Sequence, residues 1–126
     1  MTVGLETLRL RTTREGEIVD ITEKVQRIAE KGPIRNGVAF LFVPGSTAAL
    51  TTIEYEPGLI VDLPRMLETI IPKTAHYEHE KHWHDGNGHS HLRAALIGPD
   101  LFVPIQERRL MLGTWRQIVF VELDVR

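Results

Sequence analysis

GVAFLFVPGSTAALTTIEY spans residues 37–55 and contains two adjoining segments with the composition of β-strands. Gly37 to Val43 is nearly all apolar, which predicts a central strand covered on both faces. Pro44-Gly45 ends that strand. The threonine-rich segment from Ser46 to Tyr55 predicts a second strand, paired with the first through this turn. Hydroxyl groups then line one face of the pair.

Two segments outside this pair have the spacing of amphipathic helices. Between residues 21 and 31 apolar residues recur every three or four positions, and Gly32-Pro33 ends the pattern. Further on, Asp62 stands directly before Leu63-Pro64, an arrangement typical of an N-cap followed by a first-turn proline. An apolar stripe continues from there to Pro72. A second helix is therefore predicted, with Asp62 as its cap.

The remaining segments add strands and one ambiguous element. Alternation of apolar and polar residues predicts a strand over residues 4–13. Residues 101–105 and 110–112 predict two strands joined by a charged turn, and residues 115–125 a longer terminal strand. Residues 91–97 fit either a short helix or a strand. Helices and strands are mixed without strict alternation, which predicts an α+β fold.

Composition narrows the class of protein. A chain of 126 residues with 42% hydrophobic residues fits a single domain over residues 1–126. The net charge of -2 and the absence of a basic run argue against nucleic acid or an anionic membrane as a partner. No leader-like or membrane-spanning segment is present, so we expect a cytoplasmic protein. Cysteine is absent, so any metal must be bound by nitrogen and oxygen.

One segment, AHYEHEKHWHDGNGHSH, concentrates the groups that bind divalent transition metals. Imidazole and carboxylate together suit zinc, iron, nickel or manganese. The alternative is an exposed histidine-rich loop that binds metal only adventitiously. The segment lacks sustained periodicity up to His89, which predicts a loop. It holds all six histidines of the chain: His76, His79, His82, His84, His89 and His91.

Spacing suggests how such a loop forms a site. On an extended backbone His89 and His91 project to the same face, and a turn at Gly86 and Gly88 brings His79 opposite them. One loop then supplies the three protein ligands of a catalytic metal. The HEKH sequence at His79 is not the zinc-protease motif, because its histidines are three residues apart instead of four.

Other residues are candidates for proton transfer and ligand binding. Glu54 and Asp62 are carboxylates outside the loop, although a solvated glutamate and a helix cap explain them equally well. Trp115 and Arg116 follow a glycine turn and together suit an anionic or aromatic ligand. A core tryptophan and a solvated arginine are the alternatives. The Gly45-Ser46-Thr47 segment gives only a weak anion-binding signal.

Five ordered blocks resemble the YjbQ family, also named secondary thiamine-phosphate synthase. They cover nearly the whole chain, and together they are far more specific than any one of them. The blocks are GSTAALTTIEYE from Gly45, Tyr77-Glu78-His79, Asn87-Gly88-His89-Ser90-His91-Leu92, Leu96-Ile97-Gly98-Pro99 and Gly113-Thr114-Trp115.

The resemblance implies a compact α+β domain with a curved, mixed, mainly antiparallel sheet and two to three helices. It also implies a homotrimer and a histidine-bound divalent metal, with zinc expected, in a polar pocket. By matched position, His79 and His91 are metal ligands. The matching acidic and pocket-forming positions are Glu54, Asp62, Asn87, Thr114 and Trp115.

The chain departs from the family pattern at two positions. Many members have a histidine that resembles a third metal ligand where this chain has Gly45, so His89, or else His84, is expected to replace it. Glutamine commonly follows the tryptophan, where this chain has Arg116. The family name suggests joining a pyrimidine methyl diphosphate to a thiazole phosphate with loss of diphosphate. A metal and Arg116 would stabilise the diphosphate as it leaves.

Two functions remain open from the sequence. The first is a metal-dependent enzyme acting on a small phosphorylated or heterocyclic metabolite, with thiamine-phosphate synthase as a side activity. The second is a non-catalytic, trimeric module whose histidine loop binds a metal or a ligand.

Overall fold

The computed structural model describes residues 1–126 and forms a single α+β domain. All strand pairings are antiparallel, within two three-stranded sheets. The predicted α+β class is confirmed, with four helices and six strands. The elements are β1 (Ile18–Asp20), α1 (Thr22–Lys31), β2 (Gly37–Phe42), β3 (Ala48–Ile53), α2 (Pro57–Ile70), α3 (His79–Trp83), α4 (Gly88–Ile97), β4 (Asp100–Gln106), β5 (Arg109–Leu110) and β6 (Gln117–Glu122).

The two strands expected to form a hairpin lie in different sheets. Sheet A has the order β1-β6-β3, and sheet B has the order β2-β4-β5. The predicted pairing through Pro44-Gly45 is therefore wrong. The backbone amide of Val43 donates to the carbonyl of Pro99, and that of Leu50 donates to the carbonyl of Gly98. The link between α4 and β4 thus separates the two strands.

Strand β6 is buried on both faces. Ile118 and Val119 are each fully buried although they point to opposite sides of the sheet. Val119 belongs to a core cluster with Leu67 of α2, whereas Ile118 belongs to a second cluster with Val25 of α1. Within one chain residues 37–43 are not covered on both faces as predicted, because one face of β2 is open to solvent.

Helix α1 confirms its prediction, whereas α2 begins earlier than expected. Glu56 is its N-cap, and the side chain of Glu56 accepts hydrogen bonds from the backbone amides of Gly58 and Leu59. Pro57 then takes the first-turn position that suits proline. Asp62 is not the cap, because it lies exposed inside the helix, and Pro64 follows it there.

Two further predictions fail where tertiary contacts override local pattern. Residues 4–13 form no strand; Leu8 and Leu10 pack against the second core cluster without a ladder partner. The histidine segment is not a loop but contains α3 and most of the first half of α4. Residues 91–97, left open between helix and strand, are helical. No helix reaches the length and apolar character required to cross a membrane.

Candidate metal centre

A tight turn between α3 and α4 brings the two central histidines together. His84 ends α3 in the left-handed conformation with a φ of 55°, and Gly86 follows with a φ of 69°. The chain thereby reverses direction between His79, at the start of α3, and His91, in the first turns of α4. Their ring centroids are 4.7 Å apart, with the planes tilted by 53°.

These histidines line an open, polar cavity of about 320 Å³. The turn and the two helices form one wall. The other wall is the end of sheet A, where the amide of Leu123 donates to the carbonyl of Thr47. Only one of the lining residues is hydrophobic, the exposed Trp83. The full lining is Ser46, Thr47, His79, Trp83, Asp85, Asn87, His91, Asp124 and Arg126.

Electron-rich atoms of His79 and Asp85 face each other inside this cavity. The Nε2 atom of His79 lies 3.2 Å from Oδ1 of Asp85. The amide of Asn87 fits its surroundings when its nitrogen donates to both, at 2.6 Å from Asp85 Oδ1 and 2.9 Å from His79 Nε2. In that arrangement His79 Nε2 carries a lone pair and no proton. His79 Nε2 and Asp85 Oδ1 are then two neighbouring acceptor atoms that share the Asn87 amide as donor.

This donor set fits a divalent metal. Ligand atoms about 2.0–2.2 Å from a tetrahedral zinc ion lie about 3.3–3.6 Å from each other, and the 3.2 Å between His79 Nε2 and Asp85 Oδ1 is close to this range. Glu80 also brings a carboxylate oxygen into a group that spans at most 4.8 Å with these two residues. That carboxylate, however, accepts the backbone amide of Gly88 at 2.9 Å and lies outside the cavity lining.

His89 does not belong to this group. The expectation that it shares a face with His91 assumed an extended backbone, but both residues lie in α4. Residues two apart on a helix point about 200° apart. The buried ring of His89 instead places Nε2 2.5 Å from Oε2 of Glu15. His84 is also excluded from the cavity lining, because it is the exposed C-cap of α3.

The partly buried Glu15 joins the buried His89 of α4 to the exposed Lys73. Lys73 Nζ donates to Oε1 of Glu15 at 2.9 Å, while His89 Nε2 forms a hydrogen bond with Oε2. Burial by itself raises the pKa of Glu15, but the hydrogen bonds and positive charges of Lys73 and His89 outweigh it and hold the pKa below its ordinary value.

We expect Glu15→Gln to reduce the acid sensitivity of the fold. A carboxyl whose pKa is lowered by folding stabilises the protein above its unfolded pKa, about 4.3, and this contribution is lost as the pH falls through the folded pKa. Urea unfolding between pH 7 and pH 3 measures the slope. Glu23→Gln, on an exposed part of α1, controls for net charge. Equal slopes in both variants would contradict this role for Glu15.

The other predicted site residues lie away from the cavity. Ser46 and Asp124 flank one end of the β3–β6 ladder, whereas Glu54 and Arg116 flank the other, where Ile53 pairs with Gln117. The ladder alone spans about 17 Å. Asp62, Thr114 and Trp115 are exposed and do not line the cavity either. Of the predicted ligand-binding residues, the structure brings only Asn87 to the histidines.

Arg116 and Glu54 have local surroundings of their own. The guanidinium of Arg116 donates to Thr52 Oγ1 at 2.6 Å. The backbone amide of the neighbouring Tyr55 bonds to the side chain of Gln117. These contacts join the ends of β3 and β6, and they do not extend to the histidine group.

Sequence reasoning missed Asp85, Asp124, Trp83 and Arg126 as lining residues. Asp85 was visible as a carboxylate between the histidines, but its direction depends on the turn between the helices. Asp124 carries a weaker signal, an acidic residue just beyond a buried strand. The Ser46-Thr47 hydroxyls do line the cavity.

Comparison with known proteins assigns the chain to a family. The family model described as UPF0047 protein YjbQ-like matches residues 6–126. The chain belongs to the YjbQ family. A UPF0047 protein of Methanothermobacter thermautotrophicus is 42% identical over 124 residues, covering 98% of this chain and 85% of the relative. One from Archaeoglobus fulgidus is 38% identical over 117 residues, covering 93% of this chain and 89% of the relative.

Similarity to solved structures supports the same family assignment. A YbjQ-like protein of unknown function from Sulfolobus solfataricus superposes with a TM-score of 0.81 at 39% identity, covering 86% of this chain and 77% of that protein. A conserved hypothetical protein from Thermus thermophilus has a TM-score of 0.79 at 35% identity, covering 93% of this chain and 88% of that protein. Family and fold therefore rest on both sequence and structure.

Proposed function

We propose that this YjbQ family chain is a cytoplasmic, metal-dependent enzyme that acts on a small phosphorylated or heterocyclic metabolite. The observation that carries the proposal is the convergence of His79, His91 and Asp85 on one small polar cavity that also holds a further carboxylate, Asp124. A volume of about 320 Å³ suits a small metabolite. Zinc is the expected metal, because imidazole and carboxylate ligands suit it.

In this proposal the residues of the cavity have different chemical roles. His79 and His91 bind the metal, which would supply Lewis acidity toward an oxygen of the substrate. Asp124 accepts or returns a proton at the opposite wall. The hydroxyls of Ser46 and Thr47 orient polar groups of the substrate, and the exposed indole of Trp83 offers a flat surface to a heterocycle.

The proposal includes thiamine-phosphate synthesis as a side activity. In that reaction diphosphate leaves the pyrimidine methyl carbon as the thiazole nitrogen bonds to it, and a cation is needed beside the leaving oxygens. Arg116, the expected cation, lies beyond the far end of the β3–β6 ladder from the cavity of its own chain. Arg126 is the arginine that lines this cavity.

A homotrimer is part of the proposal and is supported by an apolar face on sheet B. Phe40 and Phe102 are cross-strand partners that are 64% and 68% exposed, with Val38 and Phe42 beside them. Exposed apolar patches of this kind mark protein contacts. Burying them between copies of the chain would remove them from water.

We expect Phe40→Asp to break this assembly, because a charge at the centre of an apolar interface loses its hydration without gaining a partner. Size-exclusion chromatography with light scattering would change from about three chains to one. Val61→Ser alters a comparably exposed apolar residue on α2 and should leave the mass unchanged. A wild-type chain that is monomeric at micromolar concentration would contradict the trimer.

The enzyme proposal is tested by metal titration together with turnover. We expect chelator-treated protein to bind one zinc ion tightly per chain and His91→Ala to lose that binding. Asp124→Asn should keep the metal but lower turnover by about 10²–10⁴-fold, the range for a lost proton-transfer group. Turnover is assayed on a panel of phosphorylated and heterocyclic metabolites that includes the thiamine-phosphate precursors.

The same data separate the proposal from a non-catalytic metal-binding module. Tight, single-site binding with no metal-dependent turnover across the panel would favour the module. Several weak sites that survive His91→Ala would point to adventitious binding by the exposed histidines. Either result would contradict the enzyme proposal.

A further inference from the structure

We infer that Asp85 is the third protein ligand of the metal and that Asn87 is the residue that positions it. The inference rests on the proposed function, since it presupposes a metal at His79 and His91. It replaces His89 and His84 with an oxygen ligand. The resulting set, two imidazoles and one carboxylate, leaves coordination positions for water or substrate.

Geometry is the first support. Oδ1 of Asp85 approaches Nε2 of His79 to 3.2 Å, a separation expected of two ligands on one metal ion. Neither atom donates a proton to the other when the Asn87 amide donates to both. A cation bound between these two acceptors would take the place of the Asn87 amide at His79 Nε2 and be attracted by the carboxylate charge.

Elimination of the neighbouring groups is the second support. Glu80 is engaged by the backbone amide of Gly88. His89 is engaged by Glu15 on the opposite side of α4. Oδ1 of Asp124 accepts the backbone amide of Val125. Asp85 is the carboxylate beside His79 that accepts no hydrogen bond from a backbone amide.

The position of Asn87 is the third support. This side chain is 3% exposed and lies at the N-terminal boundary of α4, four residues before His91. Its amide contacts both oxygens of Asp85, at 2.6 Å and 3.2 Å. Groups that form hydrogen bonds to a ligating carboxylate fix its direction and tune the affinity of the site for the metal. Asn87 therefore connects the carboxylate ligand to the helix that carries His91.

A carboxylate ligand also sets the charge and preference of the site. With two neutral imidazoles and one carboxylate, a divalent ion leaves a net charge of about +1. Such a site attracts anionic groups, and phosphate is the matching substrate chemistry. Zinc, iron(II) and manganese all accept this ligand set.

The test compares metal affinity in Asp85→Asn, Asp85→Ala and a matched control, Glu78→Gln. Glu78 is an exposed carboxylate in the same segment and pairs with Lys81 outside the cavity. Zinc affinity is measured by competition with a chromophoric chelator, and cobalt(II) spectra report the ligand field independently of activity. Circular dichroism verifies folding, which we expect to persist because Asp85 is exposed in a turn.

We expect both Asp85 variants to weaken zinc binding by at least about 100-fold, more than the loss of a supporting residue usually causes. Asn87→Ala should weaken it by about 10–100-fold with a cobalt spectrum of wild-type shape. Glu78→Gln should bind as the wild type does. If the Asp85 variants bind zinc normally while His91→Ala does not, the inference is wrong and the metal-enzyme proposal survives. Absence of zinc binding by the wild type would overturn both.

Discussion

We expect Arg93→Met to lower the free energy of unfolding by about 2–4 kcal/mol, as expected when a buried, hydrogen-bonded charge is removed. The guanidinium of Arg93 is buried, and its Nε and Nη2 atoms both donate to the carbonyl of Ile71, at 3.0 Å and 2.8 Å. Nη2 also contacts Glu68. Methionine fills similar space but leaves the Ile71 carbonyl at the end of α2 without these donors.

The size of this effect is limited by the partner acid. Glu68 is half-exposed, so water can solvate it once Arg93 is gone. Most of the loss then comes from the Ile71 carbonyl, which loses both donors, and Arg93→Lys should recover only part of it, because lysine cannot form both bonds. Arg65→Met on the exposed surface of α2 is the control and should change stability by less than about 0.5 kcal/mol. Chemical denaturation that gives equal values for Arg93→Met and Arg65→Met would contradict this account.

Gly88→Ala should both destabilise the fold and weaken metal binding. A Cβ atom at residue 88 would lie 2.9 Å from the Cβ of Tyr77 and 2.7 Å from Oε2 of Glu80. The Glu80 carboxylate can swing aside, but it would then release the amide that starts α4. The Tyr77 backbone has less freedom, because the tyrosine hydroxyl is bonded to the carbonyl of Pro72.

Two opposing contributions decide the magnitude for Gly88→Ala. Overpacking costs about 1–3 kcal/mol, whereas alanine in a helix gains up to about 1 kcal/mol over glycine. We therefore expect a net loss of about 1–2 kcal/mol in thermal unfolding, together with weaker zinc binding as Asn87 and His91 move. Gly45→Ala is the matched control, since a Cβ there meets nothing within 4 Å. Similar stability and zinc affinity in the two variants would refute the requirement for glycine.

The spacing of apolar residues was sufficient to locate some of the helices and strands. The helix at residues 22–31 and the strand at residues 37–42 lie where apolar spacing predicts them. The spacing of apolar residues could not show which strands pair with each other. Strand β3 pairs with β6 across more than sixty residues, a choice made by packing of both faces of β6 and not by the Pro44-Gly45 link.

The site was predicted in outline and missed in detail. The concentration of histidines located it, and the resemblance to the family selected His79 and His91, whose rings are adjacent. The expectation that His89 is the third ligand assumed an extended chain at residues 89–91, whereas both histidines lie in α4. Glu80 binding the amide of Gly88 favours a helix start there, and the helix directs His89 to Glu15. Whether Asp85 is a ligand therefore depends on a turn that periodicity does not reveal.

The most direct test of the metal centre is an anomalous difference map from crystals grown with one equivalent of zinc, collected at the zinc absorption edge. The account predicts one peak per chain, about 2.0–2.3 Å from Nε2 of His79 and within ligand distance of His91 and Asp85. Peaks confined to the exposed His76, His82 or His84, or no peak at all, would contradict it.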